Sequence, residues 1–510
     1  MKNSSRSLWQ FIQAMSKNEK VFFKRNFVDA GNDEPPLYLQ LFDAIEQQKE
    51  YDEEAIVEKL SPALTRKNLS YQKHYLYQQL CEALISYGGR DLPEQEVYDQ
   101  IRLIRILRKK GLLDEAHIVW KKAVVKARDA EAFALLGILK KEFEKMILWS
   151  SVHTPYDELH TLARGNIINY DDYAEMITLR DIYTEVLLLK RKWHFDIDDN
   201  SIHELKLLLT RVMQSSFSDT TASFWFRHYY RMCRVTLQYL LNKNIPEAFS
   251  LLRETVSDWQ QHTEHIHTDT ENFIEVLNMV NYLGIQAGEF QFIEACFQHP
   301  VNDLIRDEAY RANFEAVKYL SLNKVYNKTA RYNEVEKLVR QMKVEYGKWE
   351  PFINNETNRT INLSLGIACF VLEEYADALY FFRRGSYVKD GTREEHIRIA
   401  HILLLLAAYN LNNDRIFDAQ YRATYQYFYK RKKQHPFESE LIRCLNRTFY
   451  MKSYRDKVVE YEKTLAKLET DDEVQQKAFA IFNYPGWLRS RIERISYREY
   501  VTRRVKNAAA

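Results

Sequence analysis

The sequence predicts an all-α protein, a long array of helical hairpins behind an N-terminal helical cap, on three observations. Glycine supplies 13 and proline 10 of the 510 residues, far below the usual ~7% and ~5%. Strands, tight turns and phosphate-cradling loops lean on glycine, so its scarcity favours helix. Apolar residues fall at helical spacing in segment after segment. Units of similar layout also begin at residues 274, 316, 359, 400 and 438, roughly 40 residues apart, as in repeat architectures. A chain of this length suits two or three ordinary domains or one long array.

Residues 7–28 predict two short helices. Leu8, Phe11, Ile12 and Met15 share one face, and Ser16 with Glu19 forms a capping box ahead of the second. A loop with Gly31, Asn32, Asp33, Pro35 and Pro36 follows, then helices over 37–48, 52–60 and, after Pro62, 70–87. Residues 1–88 thus read as a compact helical cap. Segments 52–60 and 70–87 also admit a helix-turn-helix reading, with Arg66, Lys67, Lys73 and His74 as its cations. DNA contact needs exposed side chains at the start of the second helix. Tyr71, Tyr75, Tyr77, Leu80 and Leu84 predict a mostly packed helix instead, and the connector 62–69 is longer than the usual turn. The cap is the reading adopted.

Gly88, Gly89 and Pro93 mark a boundary, and repeats are expected over 97–470. In 97–130 the break at 111–113 precedes Ala116, Trp120 and Ala123; in 229–262 the break at 242–245 precedes Ala248 and Leu252. The unit from 274 breaks at Gly288-Glu289-Phe290, and in 316–350 Leu322 and Tyr326 precede Tyr332, Val335 and Val339. The unit from 400 has Ala407 and Asn410 before Ile416 and Ala419; that from 438 has Cys444 and Leu445 before Tyr454 and Tyr461. Between 131 and 228 the register is lost, although helices read at 131–150, 167–194, 201–215 (with Ser201 and Glu204 as a capping box) and 221–243. Residues 471–510 end the array with the turn Asn483-Tyr484-Pro485-Gly486 and one basic capping helix over 487–506.

The most specific unit is 359–392. Leu365-Gly366, a break at 373–375 with Tyr375, and Ala378 followed four residues later by Phe382 give L-G, a turn, and A-x-x-x-F. Small residues at Gly366 and Ala378 let two antiparallel helices approach, while Leu365, Phe382 and the Tyr375 ring fill the space around them. Asn362, Cys369 and Asp390 stand where the pattern has Trp, Tyr and Pro. The stretch resembles a degenerate tetratricopeptide (TPR) repeat, with a period longer than the family's 34 residues. The whole layout is similar to uncharacterised bacterial TPR-like proteins, which implies no activity. The resemblance implies a right-handed α-α superhelix whose concave groove is lined by the first helix of each pair. At the inward positions stand Asn278, Tyr282, Lys324, Asn327, Lys328, Thr360, Phe370, Asn446, Phe449 and Tyr450. Asparagine and lysine suit a peptide's main chain or carboxylate, and the rings its apolar side chains. Leu237, Leu363, Ile367 and Leu404 at equivalent positions fit either a greasy groove or a tightly wound array with no opening. A two-carboxylate clamp is not reproduced. The implied function is a non-enzymatic scaffold for a protein or peptide partner; the rival is a TPR-containing transcription regulator with an N-terminal helix-turn-helix.

Other chemistry is thinly represented. No P-loop, dinucleotide, nucleophile-elbow or H-E-x-x-H pattern occurs, so neither an enzyme nor a cofactor is expected. Asp196, Asp198 and Asn200 begin like a calcium loop, but Ser201 replaces its glycine and Leu207 its bidentate Glu; an acidic helix cap is expected. His262, Glu264, His265 and His267 are the best metal candidates, and their threonine-rich flank (Thr263, Thr268, Thr270) favours a solvated loop instead. Basic residues number 73 against 71 acidic, which argues against a polycation built for nucleic acid. Two local basic stretches qualify for it: Lys430-Arg431-Lys432-Lys433 after Tyr425, Tyr427 and Phe428, and the arginine-rich C-terminal helix. A solubilising outer face is the competing and preferred account. Five scattered cysteines with no C-x-x-C pair suit reduced cytosol. With no signal-peptide pattern and an apolar run (402–409) far short of the ~20 residues a span requires, a cytoplasmic protein off the membrane is expected.

Overall fold

The computed structural model describes residues 5–26, 35–48, 50–87, 93–149, 170–192, 199–214, 223–386, 394–431, 435–468 and 473–509. Gly31–Asp33, Gly88, Gly89, Asp196, Asp198, Asp390, Lys432 and Lys433, weighed above, lie outside them. The described residues are overwhelmingly helical and contain no strand. The chain divides into two compact units, Met1–Ile167 and Ile168–Ala510, so the N-terminal helices and the first expected repeats share a unit.

In the first unit, Ser5–Ala14, Lys17–Asn26, Leu37–Glu46, Glu53–Lys59 and Leu69–Tyr87 close around Ile12, Phe23, Leu41, Phe42, Leu76 and Leu80. The Ser16 capping box forms: its backbone N–H donates to Glu19 Oε2 at 2.7 Å, and Glu19 N–H donates back to Ser16 Oγ at 3.3 Å. Pro93–Lys109, Leu113–Asp129 and Phe133–Trp149 then pack on one another in turn. Trp120 is fully buried there, stacked on Phe143 and donating from Nε1 to Leu139 O at 2.8 Å.

The second unit opens with Tyr170–Lys192 and Asp199–Met213. The latter begins two residues earlier than expected, which places Ser201 inside its first turn rather than at its cap. From Phe224–Leu240 the pattern is regular. Helix pairs Phe224–Leu240/Ile245–Gln261, Thr270–Ala287/Phe290–Gln298, Glu308–Lys328/Tyr332–Trp349, Asn355–Val371/Tyr375–Gly385, Glu394–Leu411/Asp414–Arg431 and Pro436–Phe449/Tyr454–Leu468 follow one another. The first helix of each pair packs on its own partner and on the first helix of the next pair.

The hairpin turns explain how this regularity arises with so little glycine. Gly111, Glu131, Asn242, Gly288, Ala330, Glu373 and Asn412 all sit at positive φ just past a helix end. In most of them the next N–H reaches back five residues, as from Glu289 to Gly284 O (2.9 Å), Arg331 to Tyr326 O (2.8 Å) and Glu374 to Cys369 O (2.8 Å). That 6→1 bond is the Schellman closure, and it satisfies a carbonyl the helix leaves open. Glu131 repeats the geometry, so the hairpin pattern continues into the stretch where the sequence register was lost. The close approach at Gly366 is also present. A Cβ there would lie 2.5 Å from Phe382 Cε1, a ring that is fully buried.

The C-terminus departs from expectation. Instead of one basic helix there are three: Glu473–Ile481, Tyr484–Ile492 and Tyr497–Ala509, with Arg494 at φ +57° between the last two. They do more than cover the final hairpin. Phe482 and Tyr497 pack on Phe370 at 5.3 and 6.1 Å, Trp487 on Tyr409 at 5.7 Å and Tyr461 at 6.1 Å, and the Arg498 guanidinium lies 5.4 Å from the Tyr332 ring. This segment is a strap across the turn ends of four successive hairpins.

Candidate functional site

Five of the ten residues expected to line a groove sit on two adjacent helices, Thr270–Ala287 and Glu308–Lys328, and they meet at Tyr282. Lys190 Nζ, from Tyr170–Lys192, lies 5.1 Å from the Tyr282 ring centroid, and Lys324 Nζ lies 5.4 Å from it. Tyr239 packs on the same ring at 5.8 Å. Each ammonium gains from the ring's electron-rich face, but their compensation differs. Lys190 donates to Glu275 Oε1 at 2.5 Å, whose other oxygen takes a bond from Asn278 Nδ2 at 3.3 Å. Lys324 is exposed to water and yet crowded by surrounding protein. That crowding, with repulsion from Lys328 one turn away, pushes its ammonium down to about 8. A cation held in this way gains most from an incoming anion.

The other expected positions have different fates. Asn327 donates to Asn323 O (2.7 Å) and Oδ1 (2.9 Å), and buried Asn323 donates to Ser364 Oγ at 2.7 Å. Asn323 therefore ties Glu308–Lys328 to Asn355–Val371, and the Asn327 amide is spent within its own helix. Thr360 Oγ1 donates to Glu356 O within its own helix at 2.9 Å. Phe370 is a correction: it is 1% exposed, sealed beneath the C-terminal strap with Tyr375, Phe482 and Tyr497. Half-buried Phe449 stacks on Phe417 at 3.9 Å, while exposed Tyr450 bonds Asp418 through its hydroxyl. Among the described residues, no contact joins these two, or Asn446, to the Tyr282 cluster. Leu237, Leu363 and Leu404 are buried, and every residue from Ile402 to Ala408 is too. From residue 355 onward, tight packing wins over a greasy channel.

Lys190 and Glu275 were not legible as site residues. Lys190 lies where no repeat register could be drawn, and only the fold brings it beside a ring more than ninety positions later.

The remaining candidates separate on geometry. His265 is buried and stacked on Phe224 at 4.0 Å, His267 is exposed, and His262 Nδ1 is 3.3 Å from Glu264 Oε1; no group of three His, Cys, Asp or Glu among the described residues is arranged to hold an ion. Burial pushes the thiols of Cys296 and Cys369 up to about 12, so neither is a thiolate at neutral pH. On Leu69–Tyr87, Tyr71 is 68% exposed, which corrects the expectation of a mostly packed helix. Two of its four cations are acid-paired, however: Lys73 with Glu53 at 2.6 Å and, in the connector, Arg66 with Glu54 at 2.7 Å, while Lys67 and His74 are exposed. After Tyr425, Tyr427 stacks on His401 at 3.9 Å and Phe428 is buried, so only Tyr425 of that trio faces outward. No helix among the described residues is long and apolar enough to cross a membrane. No known protein family, curated protein or solved structure matches this chain.

Proposed function

We propose that the second unit is a TPR-like solenoid whose first helices form a concave wall, and that the wall around Tyr282 holds a peptide segment bearing a carboxylate. The observation that carries this reading is the Lys324 ammonium, water-accessible, crowded by protein, paired with no acid among the described residues and poised over an aromatic ring. Lys324 and Lys328 supply the charge, and the Tyr282 and Tyr239 rings an apolar platform. The pairwise packing of first helices on first helices supports a continuous wall, and the leucine-filled stretch beyond residue 355 limits its open part to the earlier hairpins. The function is then a cytoplasmic, non-enzymatic scaffold.

The test is selection of displayed peptides on the purified full chain, repeated with Lys324→Glu plus Lys328→Glu. Enrichment of acidic or C-terminally anchored peptides by the native chain, lost in the variant at unchanged circular dichroism, is the expected result. Recovery of the same peptides by both proteins refutes the assignment. The regulator reading has less on its side, because Arg66 and Lys73 already have carboxylate partners.

A further inference from the structure

A second site lies under the strap. A cleft of about 430 Å³ opens where the turn before Tyr375 meets the last helices, lined by Glu373, Tyr375, Tyr454, Arg491, Arg494 and Ser496 among others. That volume lies in the range of small-molecule pockets. Its charge is lopsided. Among the described residues, no carboxylate pairs with Arg491 or Arg494, or with Lys457, one turn along from Tyr454. Burial and the nearby Arg491 charge together lower the Lys457 ammonium. Among the residues lining the cleft, Glu373, which is exposed, is the one acid that opposes them.

The arginines are also held in place. Arg491 donates through one terminal nitrogen to Asn410 Oδ1 and rests 5.3 Å from the Trp487 ring, and its buried Nε has no hydrogen-bond partner. Arg494 lies 4.6 Å over the Tyr454 ring, and the Tyr454 hydroxyl in turn donates to Arg491 O. Ser496 caps the following helix by accepting from Glu499 N–H at 3.1 Å, which points that helix's N-terminal dipole toward the same space. Two pre-oriented guanidinium groups and tyrosine walls, with the half-buried Lys457 ammonium close enough to Arg491 to add its charge, are the chemistry that recognises an oxyanion on a partly apolar molecule.

We propose that this cleft binds a small organic phosphate ester, whose dianion offsets the uncompensated cations better than a carboxylate would. The site is independent of the peptide wall around Tyr282. Isothermal titration of the full chain at fixed ionic strength, with phenyl phosphate, benzoate and inorganic phosphate as probes, tests it. Phenyl phosphate is expected to bind saturably and more tightly than benzoate. Arg494→Gln should weaken it about tenfold, as expected for loss of one charged hydrogen-bonding partner, while Arg503→Gln, on an exposed arginine already paired with Glu499, should leave it unchanged. Arg494 is exposed, so its replacement leaves the core intact. No saturable binding of phenyl phosphate, equal binding by Arg494→Gln, equal loss in Arg503→Gln, or a preference for benzoate each overturns the proposal.

Discussion

Replacing Gly366 with alanine puts a methyl group where the Phe382 ring already lies. The new Cβ would sit 2.5 Å from Cε1 and 3.0 Å from Cγ, against an ordinary carbon–carbon contact of about 3.5–4.0 Å. The ring must therefore retreat by roughly 1 Å, yet it is fully buried and rigid. Overpacking of this kind costs about 1–3 kcal/mol. Alanine returns up to about 1 kcal/mol in helix propensity, so a net loss of about 1–2 kcal/mol is expected for a clash this close. Gly284→Ala supplies the comparison: its Cβ would meet Ile293 Cγ1 at 2.8 Å and Cδ1 at 3.0 Å, a milder overlap with an equally buried side chain. There the propensity gain should offset more of the clash, so Gly284→Ala should cost less than Gly366→Ala. Urea unfolding followed by circular dichroism reads both, and a double-mutant cycle with Phe382→Leu isolates the contact. Phe382→Leu should cost at least about 1 kcal/mol less in the alanine background than in the native chain. Native-like stability of Gly366→Ala, or an additive cycle, would refute the packing argument.

Four further outcomes follow from the same coordinates. His228 is buried, accepts from Trp259 Nε1 at 3.2 Å, and is pushed down to about 3 chiefly by burial. It stays neutral when folded while the unfolded chain takes up a proton near 6.5, so stability should fall as pH drops below 6.5, by about 2 kcal/mol at pH 5; His228→Gln should flatten that part of a stability–pH profile. Glu438 grips Arg398 through both carboxylate oxygens in a buried pair and also accepts the His435 N–H. Glu438→Gln should cost about 3–5 kcal/mol in urea unfolding by stranding a buried guanidinium, and Arg398→Met with Glu438→Leu should recover most of it. Trp487→Ala removes a fully buried ring from the strap, with an expected loss of about 3–5 kcal/mol and faster hydrogen exchange in 473–509. Ala330→Gly relieves a non-glycine residue at φ +54°; relief of about 1–2 kcal/mol outweighs glycine's freedom in the unfolded chain, so the melting temperature should rise.

Local patterns carried the helices and the hairpin breaks well. Gly366 facing Phe382, Ser16 with Glu19, and the breaks at 111–113, 242–245, 288–290 and 373–375 were legible because each depends on residues close in sequence. The register failed after residue 130 because Glu131 adopts a conformation usually signalled by glycine or asparagine and, unlike Glu373, is not followed by an A-x-x-x-F pattern. Burial around helices was harder to read. Phe370 occupies an inward position by repeat count, but the chain returns a hundred residues later to cover it. Asn327 and Lys324, three residues apart, both looked like ligand-facing polar groups. The first turns back on Asn323 one turn earlier in its own helix, and the second is left facing water.

The strap makes these misreadings one effect. A repeat array stabilised only by nearest-neighbour stacking lets its curvature vary, since each interface contributes separately. Here Phe482, Trp487, Tyr497 and Arg498 bridge the turn ends of hairpins beginning at Glu308, Asn355, Glu394 and Pro436, a long-range coupling that repeat periodicity does not encode. The leucines of Asn355–Val371 and Glu394–Leu411 are packed in this clamped part, whereas Tyr282 and Tyr239 stand on earlier hairpins, and the wall meets the first clamped hairpin through Lys324 and Lys328. Rigidity and an open charged surface therefore fall in successive parts of one unit. Anything that occupies the cleft beside Arg491 braces the strap against Tyr375 and Tyr454, and so stabilises the clamped hairpins without touching the wall around Tyr282.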